Sequence, residues 1–145
     1  MQEYPHRYVA TAQGGTEGII DTGSPGLENI PVMPPAEFGG PGDKWSPETM
    51  LVASVANCFI LTFRAVARAS KFEWNSLNCE VVGILNRVER VTRFTEFQIK
   101  VTLRLPADAD WHKAHRLAEH SEGVCLITNS LNGDKVLEID IEFDD

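Results

Sequence analysis

Two cysteines of this chain sit in settings that suit redox chemistry. Cys58 falls in the apolar run Ser46-Pro47-Glu48-Thr49-Met50-Leu51-Val52-Ala53-Ser54-Val55-Ala56-Asn57-Cys58-Phe59, and Cys125 falls in Ser121-Glu122-Gly123-Val124-Cys125-Leu126-Ile127-Thr128-Asn129-Ser130-Leu131. Each precedes a large apolar residue, in a segment that a fold would bury. Two buried thiols that meet in space can trade electrons reversibly. A thiolate attacks an O–O bond and becomes a sulfenic acid, which a nearby thiol condenses to a disulfide. The first step needs a lowered thiol pKa.

The positions of the two sulfurs set different expectations. Cys58 lies roughly 18 Å along its helix from a Ser46 cap, beyond the first turn in which a helix dipole acts. Apolar neighbours push its pKa up, so a cation from elsewhere in the fold is expected to activate it. Arg64, six residues on, points to the far side of the helix; Lys44, Arg7 and His120 remain as candidates. Glu48 is about 15 Å from Cys58 on a straight helix, so the two meet only if a partner's helix runs antiparallel. Cys125 begins a short helix whose free amides favour a thiolate, and a lower pKa makes a better leaving group.

Blander readings stand beside these. A buried cysteine is often just a small hydrophobe, and Cys79, on a strand, reads as structural. Glu48 also reads as a first-turn residue complementing the dipole. His112 and His115 share a helical face, but with His120 and Cys125 they lack compact zinc spacing and read as a solvated face. Gly39-Gly40-Pro41-Gly42 has no Lys-Ser/Thr at phosphate-binding spacing and reads as a connector. Its glycines let it form the rim of a pocket, lined by Trp45 and Phe38 for an apolar substrate. No metal or cofactor is expected.

The elements that must position these residues follow from periodicity. Arg7–Ala12 and Thr16–Asp21 read as strands joined at Gly14-Gly15, with another strand over Leu27–Val32 and a loop over 33–45. Ser46-Pro47-Glu48 starts a helix by cap, proline and dipole rules. That helix runs to about Ser70, apolar almost all round and so enclosed on every side. Leu77–Leu85 reads as a strand. Phe97, Ile99, Val101, Leu103 and Leu105 alternate with polar residues along a half-buried antiparallel strand. Asp108 or Asp110 caps a helix from Trp111 to about Ser121; Gly123 interrupts it, and Val124–Leu131 forms another. Val136–Phe143 closes the chain with Leu137, Ile139, Ile141 and Phe143 inward. The order predicts an α+β fold with antiparallel sheets covering the long helix. One subunit cannot enclose that helix, so a homodimer is expected.

A length of 145 residues predicts one domain over 1–145. Three cysteines are an intracellular count, and a cytoplasmic protein is expected. The N-terminus has no secretory signal pattern. The uncharged run Thr49–Phe63 is too short for a membrane span. A formal net charge of −8 argues against nucleic-acid partners and anionic membranes.

Ser46-Pro47-Glu48-x-x-Leu51-x-Ala53-x-x-Ala56-x-Cys58-Phe59 resembles the central-helix signature of the OsmC/Ohr family. Cys125, followed by two apolar residues and Ser130-Leu131, resembles that family's second signature. Lys113–Leu117 fits its preceding helix. The resemblance implies an intertwined homodimer with two long central helices wrapped by sheets. It also implies a thiol-dependent peroxidase of organic hydroperoxides serving oxidative-stress defence. In that scheme Cys58 attacks, Cys125 resolves, and Glu48 pairs with an arginine that holds the thiolate. Recycling would be by a dithiol reductant, lipoyl groups among them. The positions where the family carries the arginine hold Thr16 and Glu37 here. The alternative is therefore a non-catalytic OsmC-like protein binding a small apolar or thiol ligand. A hydrolase using Cys58 has no triad pattern behind it.

Overall fold

Near the N-terminus the computed structural model, which describes residues 1–145, forms an antiparallel sheet of β1 (Thr11–Gln13), β2 (Ile20–Gly23) and β3 (Ile30–Val32), in that order. The chain separates into two units, Met1–Leu51 and Val52–Asp145, described in turn. The strands of the first unit are shorter than their sequence pattern. Gln13 pairs with Asp21, so the connection runs from Gly14 to Ile19 and turns through Gly18 at φ +92°. Gly14-Gly15 is therefore not a tight two-residue hairpin.

The loop after β3 is folded back on itself. Val32 bridges to Trp45, and the Met33 amide donates to the Trp45 carbonyl at 2.9 Å. A single 3-10 turn over Ala36–Phe38 interrupts what the sequence presents as plain loop. Gly40 then passes so close to Pro34 that a Cβ would sit 1.7 Å from its carbonyl oxygen. Only glycine fits there.

Helix α1 (Pro47–Ala69) starts as its cap residues require. The Ser46 hydroxyl accepts the Thr49 amide at 3.1 Å, and the Thr49 hydroxyl accepts the Ser46 amide at 2.9 Å. This is a capping box with threonine in the third position. Within the second unit α1 buries a single stripe, Val55, Cys58, Phe59, Phe63 and Ala67, at helical spacing. The opposite face is open in one chain: Leu61 is 59% exposed, and only 22% of the most apolar 18-residue stretch is buried. The helix is thus not enclosed on every side by its own chain. At 23 residues it is also long and apolar enough, by length and composition alone, to cross a membrane, contrary to the shorter run read from sequence. One stripe of it nevertheless packs into the second unit's core.

The second unit's sheet orders β4 (Ser76–Val88), β5 (Val91–Leu105) and β6 (Asp134–Phe143). β4 and β5 form one long antiparallel hairpin with a bulge at Ile84/Leu85. Its two-residue turn, Glu89-Arg90, holds both residues at positive φ, 51° and 70°. Such turns usually advertise themselves with Asn or Gly, and this one does not. β6 pairs parallel to β5, not antiparallel. The physical reason is the crossover: α2 (Trp111–Gly123) and α3 (Leu126–Asn129) carry the chain back to the starting end of β5. The Asp110 carboxylate caps α2 by accepting the Lys113 amide at 3.2 Å.

Phe97, Ile99, Val101, Leu103 and Leu105 are all buried on one face of β5, as alternation demands. Leu137, Ile139 and Ile141 are half-buried on β6, whereas Phe143 is 44% exposed at the strand's end and does not join them. Gly83 brings β4 against α1. A Cβ there would meet Val52 Cγ2 at 2.7 Å and Phe94 Cε1 at 2.9 Å. The C-terminus is held by charge-assisted hydrogen bonds. Arg104 donates to Glu142 at 2.6 Å and through Nε to Asp144 at 3.0 Å, while the Asn75 amide group donates to Asp144 at 2.7 Å.

Two outcomes are expected. Gly83→Ala overpacks the β4–α1 contact and should cost about 1–3 kcal/mol in urea unfolding, partly recovered by adding Val52→Ala. The bonds from Asn75 and then Arg104 hold the Asp144 carboxyl below its ordinary value. Its contribution is therefore present at neutral pH and lost as pH falls through the folded-state titration. Asp144→Asn should lower the melting temperature at pH 7, and the gap to wild type should close in strong acid. A gap that persists there would assign the residue's effect to packing alone.

Candidate active site

Cys58 and Cys125 meet inside the second unit. Cys58 lies on the buried stripe of α1 and is 9% exposed; Cys125 is the N-cap of α3 and is 1% exposed. Both are free thiols, near enough that each shifts the other's pKa. The β5–α2–α3 crossover makes this possible by returning the chain to the side of the sheet that α1 covers.

The two sulfurs have opposite electrostatics. Burial pushes the Cys58 thiol up, but four hydrogen bonds together outweigh it and carry its pKa below the ordinary value. In order of size they come from the Cys125 thiol, the Ile127 amide, the Thr62 hydroxyl and the Leu126 amide. The Thr62 hydroxyl oxygen stands 3.7 Å from Cys58 Sγ. None of the four donors carries a positive charge. Cys125 moves the other way. Burial and then its interaction with the Cys58 thiol raise its pKa, against lowering by the Thr128 amide and hydroxyl, with the charge on Cys58 a last, small raising influence.

This reverses the expectation drawn from sequence. The first amides of α3 are indeed unpaired within the helix, but those of Leu126 and Ile127 serve the sulfur across the gap. Cys125 itself stays protonated and donates. The lowering of Cys58 comes from neutral donors where a cation was expected. Of the proposed cations, Arg64 is exposed, as are Arg7 and His120, and Lys44 pairs with Asp43 at 3.5 Å. Thr62 and the two amides are the groups that sequence reasoning missed. A signal for Thr62 was present: it lies four residues after Cys58, one turn along the same helical face.

The remaining candidates fall as follows. Glu48 is in the first turn of α1, half-buried, with Oε1 shielded from solvent and accepting no hydrogen bond. Thr16 and Glu37 are exposed in the first unit. Cys79 lies half-buried on β4, where burial and then the charge of Cys125 push its pKa up to about 11. It is therefore a protonated thiol at neutral pH. On α2, Trp111 stacks on His115 at 5.0 Å and meets His112 edge-on at 5.2 Å, while His115 pairs with Glu119 at 2.7 Å. Those histidines are engaged on the surface. In the first unit, an open cavity of about 580 Å³ is lined by Pro31, Gly42, Asp43, Lys44, Trp45 and Thr49. Trp45 lines it as expected; Phe38 is exposed and does not.

Known proteins share this fold. Residues 40–140 match the family described as OsmC-like protein. YmaD of Bacillus subtilis, an uncharacterized protein, is 28% identical over 138 residues, spanning 93% of this chain and 92% of its own. An OsmC-like protein of unknown function from Vibrio cholerae superposes with a TM-score of 0.84 at 17% identity, covering 93% of this chain and 99% of that one. An organic hydroperoxide resistance protein from Elizabethkingia anophelis, with crystallant-derived thiocyanate bound, gives 0.79 at 19%, covering 99% and 100%. At such identities the two structures establish the shared fold, a mixed α+β arrangement of two sheets and three helices. The chain belongs to the family of OsmC-like proteins.

Proposed function

We propose that the protein is a thiol-dependent peroxidase that reduces organic hydroperoxides through a Cys58–Cys125 disulfide cycle, in defence against oxidative stress. The observation that carries this reading is the buried pair of neighbouring thiols whose pKa values move in opposite directions. The Cys58 thiolate attacks the outer peroxide oxygen, the O–O bond breaks, and an alkoxide leaves to take up a proton as the alcohol. Cys58 is then a sulfenic acid. Cys125 attacks its sulfur, the S–O bond breaks, and the Cys125 proton leaves with hydroxide as water. A dithiol reductant, such as a lipoylated protein, reduces the disulfide. The organic hydroperoxide resistance protein among the structural relatives supports the substrate class. A reducing compartment is needed to return the thiols, which favours the cytoplasm.

The working form in this reading is a homodimer, each chain contributing one OsmC-like domain over residues 1–145. Two observations support it: the open apolar face of α1, and the solvent-shielded Glu48 Oε1 that accepts no hydrogen bond in one chain. A buried carboxylate oxygen without a donor is costly, and a second protomer supplies new neighbours. In the dimer two copies of α1 pack centrally and the sheets lie outside. A second reading, binding of a small ligand without turnover, is favoured by Thr16 and Glu37 at the arginine positions and by the cavity beside Trp45.

Titration of the reduced protein with cumene hydroperoxide should consume two thiols per chain, in the manner of an attacking and resolving pair. Cys58→Ser should abolish the loss. Cys125→Ser should leave a Cys58 sulfenic acid that dimedone labels. Indifference to hydroperoxide at pH 7–8 would leave the binding reading in its place. Sedimentation equilibrium should give about twice the chain mass of 16.1 kDa; a single chain mass at micromolar concentration would sink the dimer.

A further inference from the structure

Of the donors around Cys58, Thr62 differs in kind. The Cys125 thiol is consumed when the disulfide forms, so it cannot hold the Cys58 sulfur through the cycle. The Leu126 and Ile127 amides belong to the backbone after Cys125. Thr62 is on α1 itself, one turn beyond Cys58, half-buried, with its hydroxyl oxygen 3.7 Å from Sγ. Threonine's branched Cβ restricts χ1 to few rotamers in a helix, and the one adopted here brings the hydroxyl to the sulfur. A helical threonine ordinarily bonds the carbonyl four residues back; here its hydroxyl meets the sulfur of that same residue. While Cys58 is a thiol, either group can donate. Once it is a thiolate, only the hydroxyl can.

We propose that Thr62 is a catalytic residue, its hydroxyl donating to the Cys58 thiolate and setting the fraction ionised and the strength of the nucleophile. The inference rests on Cys58 being the attacking thiol. The titratable group facing the sulfur is the Cys125 thiol at the cap of α3. Cys79, on β4, acts in turn on Cys125. Arg64, on α1 itself, is exposed.

A donor to a thiolate has two opposed effects. It increases the ionised fraction, yet it makes each thiolate less nucleophilic, because reactivity rises with basicity at a slope of about 0.4–0.5. Removing the hydroxyl should lower the thiolate fraction about tenfold below both titration midpoints, the scale of one charge-assisted hydrogen bond. The more basic thiolate regains about threefold of that in reactivity. The net result is a rate about threefold slower below both titration midpoints and about threefold faster above them. The pH–rate curves of variant and wild type must therefore cross.

The test is the pH dependence of Cys58 alkylation by iodoacetamide, read by mass spectrometry. Trypsin separates the three cysteines, with Cys58 in residues 45–64, Cys79 in 72–87 and Cys125 in 117–135. Thr62→Val should give the crossing curve, and Thr62→Ser should restore the wild-type profile. Thr62→Ala provides the same comparison if the valine variant does not fold. Curves for valine or alanine that superpose on wild type or run parallel to it overturn the proposal, as does a serine variant that behaves like valine. Alkylation uses no hydroperoxide, so the outcomes stay distinct. Failure of the peroxidase reading leaves wild type inert to cumene hydroperoxide with the curves still crossing. Failure of this inference leaves peroxide consumption intact with the curves uncrossed.

Discussion

Hydrogen bonds from neutral donors to one sulfur are what the rest of this structure arranges. A thiol as enclosed as Cys58 would ordinarily stay protonated, because burial penalises the thiolate. Four donors on two separate elements offset that penalty. α1 supplies the sulfur and the Thr62 hydroxyl; the segment opening α3 supplies the Cys125 thiol and two amides. The sheet and α2 hold these pieces together. β5 provides a fully buried apolar face, and the crossover that forces β6 to run parallel is the same chain that delivers Cys125.

The division of labour between the thiols follows from the same contacts. Burial raises both thiols, but at Cys58 the Cys125 thiol, the Ile127 amide, the Thr62 hydroxyl and the Leu126 amide together outweigh it. Cys58 is thereby lowered while Cys125, raised first by its own burial, moves the other way. No cation is among the groups that lower the Cys58 pKa, so the cradle is a neutral one. Neutral donors close to the sulfur avoid the desolvation that a buried guanidinium would bring.

Much of this was legible in the residues, and the exceptions have physical causes. Ser46-Pro47-Glu48 marks the start of α1 because capping is local chemistry, and Thr49 completes the box. Strict alternation from Phe97 to Leu105 marks the buried face of β5 for the same reason. The hairpin through Glu89-Arg90 was not legible, since neither residue signals a positive φ. The direction of β6 depends on a crossover in space, which alternation in sequence does not encode. At the site, the pairing of Cys58 with Cys125 followed from motif and burial. The partner of each free amide did not, because a helix start shows only that donors exist. Thr62 was visible merely as a polar residue in an apolar run until its hydroxyl was found beside Sγ.

The most direct measurement is the pH titration of the Cys58 13Cβ chemical shift in reduced, labelled protein, with Cys125 and Cys79 followed in the same spectra. Cys58 should titrate first, below an ordinary thiol, with Cys125 above it and Cys79 near the about 11 set by its burial. A Cys58 midpoint at or above that of Cys125 would contradict the neutral cradle, since the donors would then not outweigh burial.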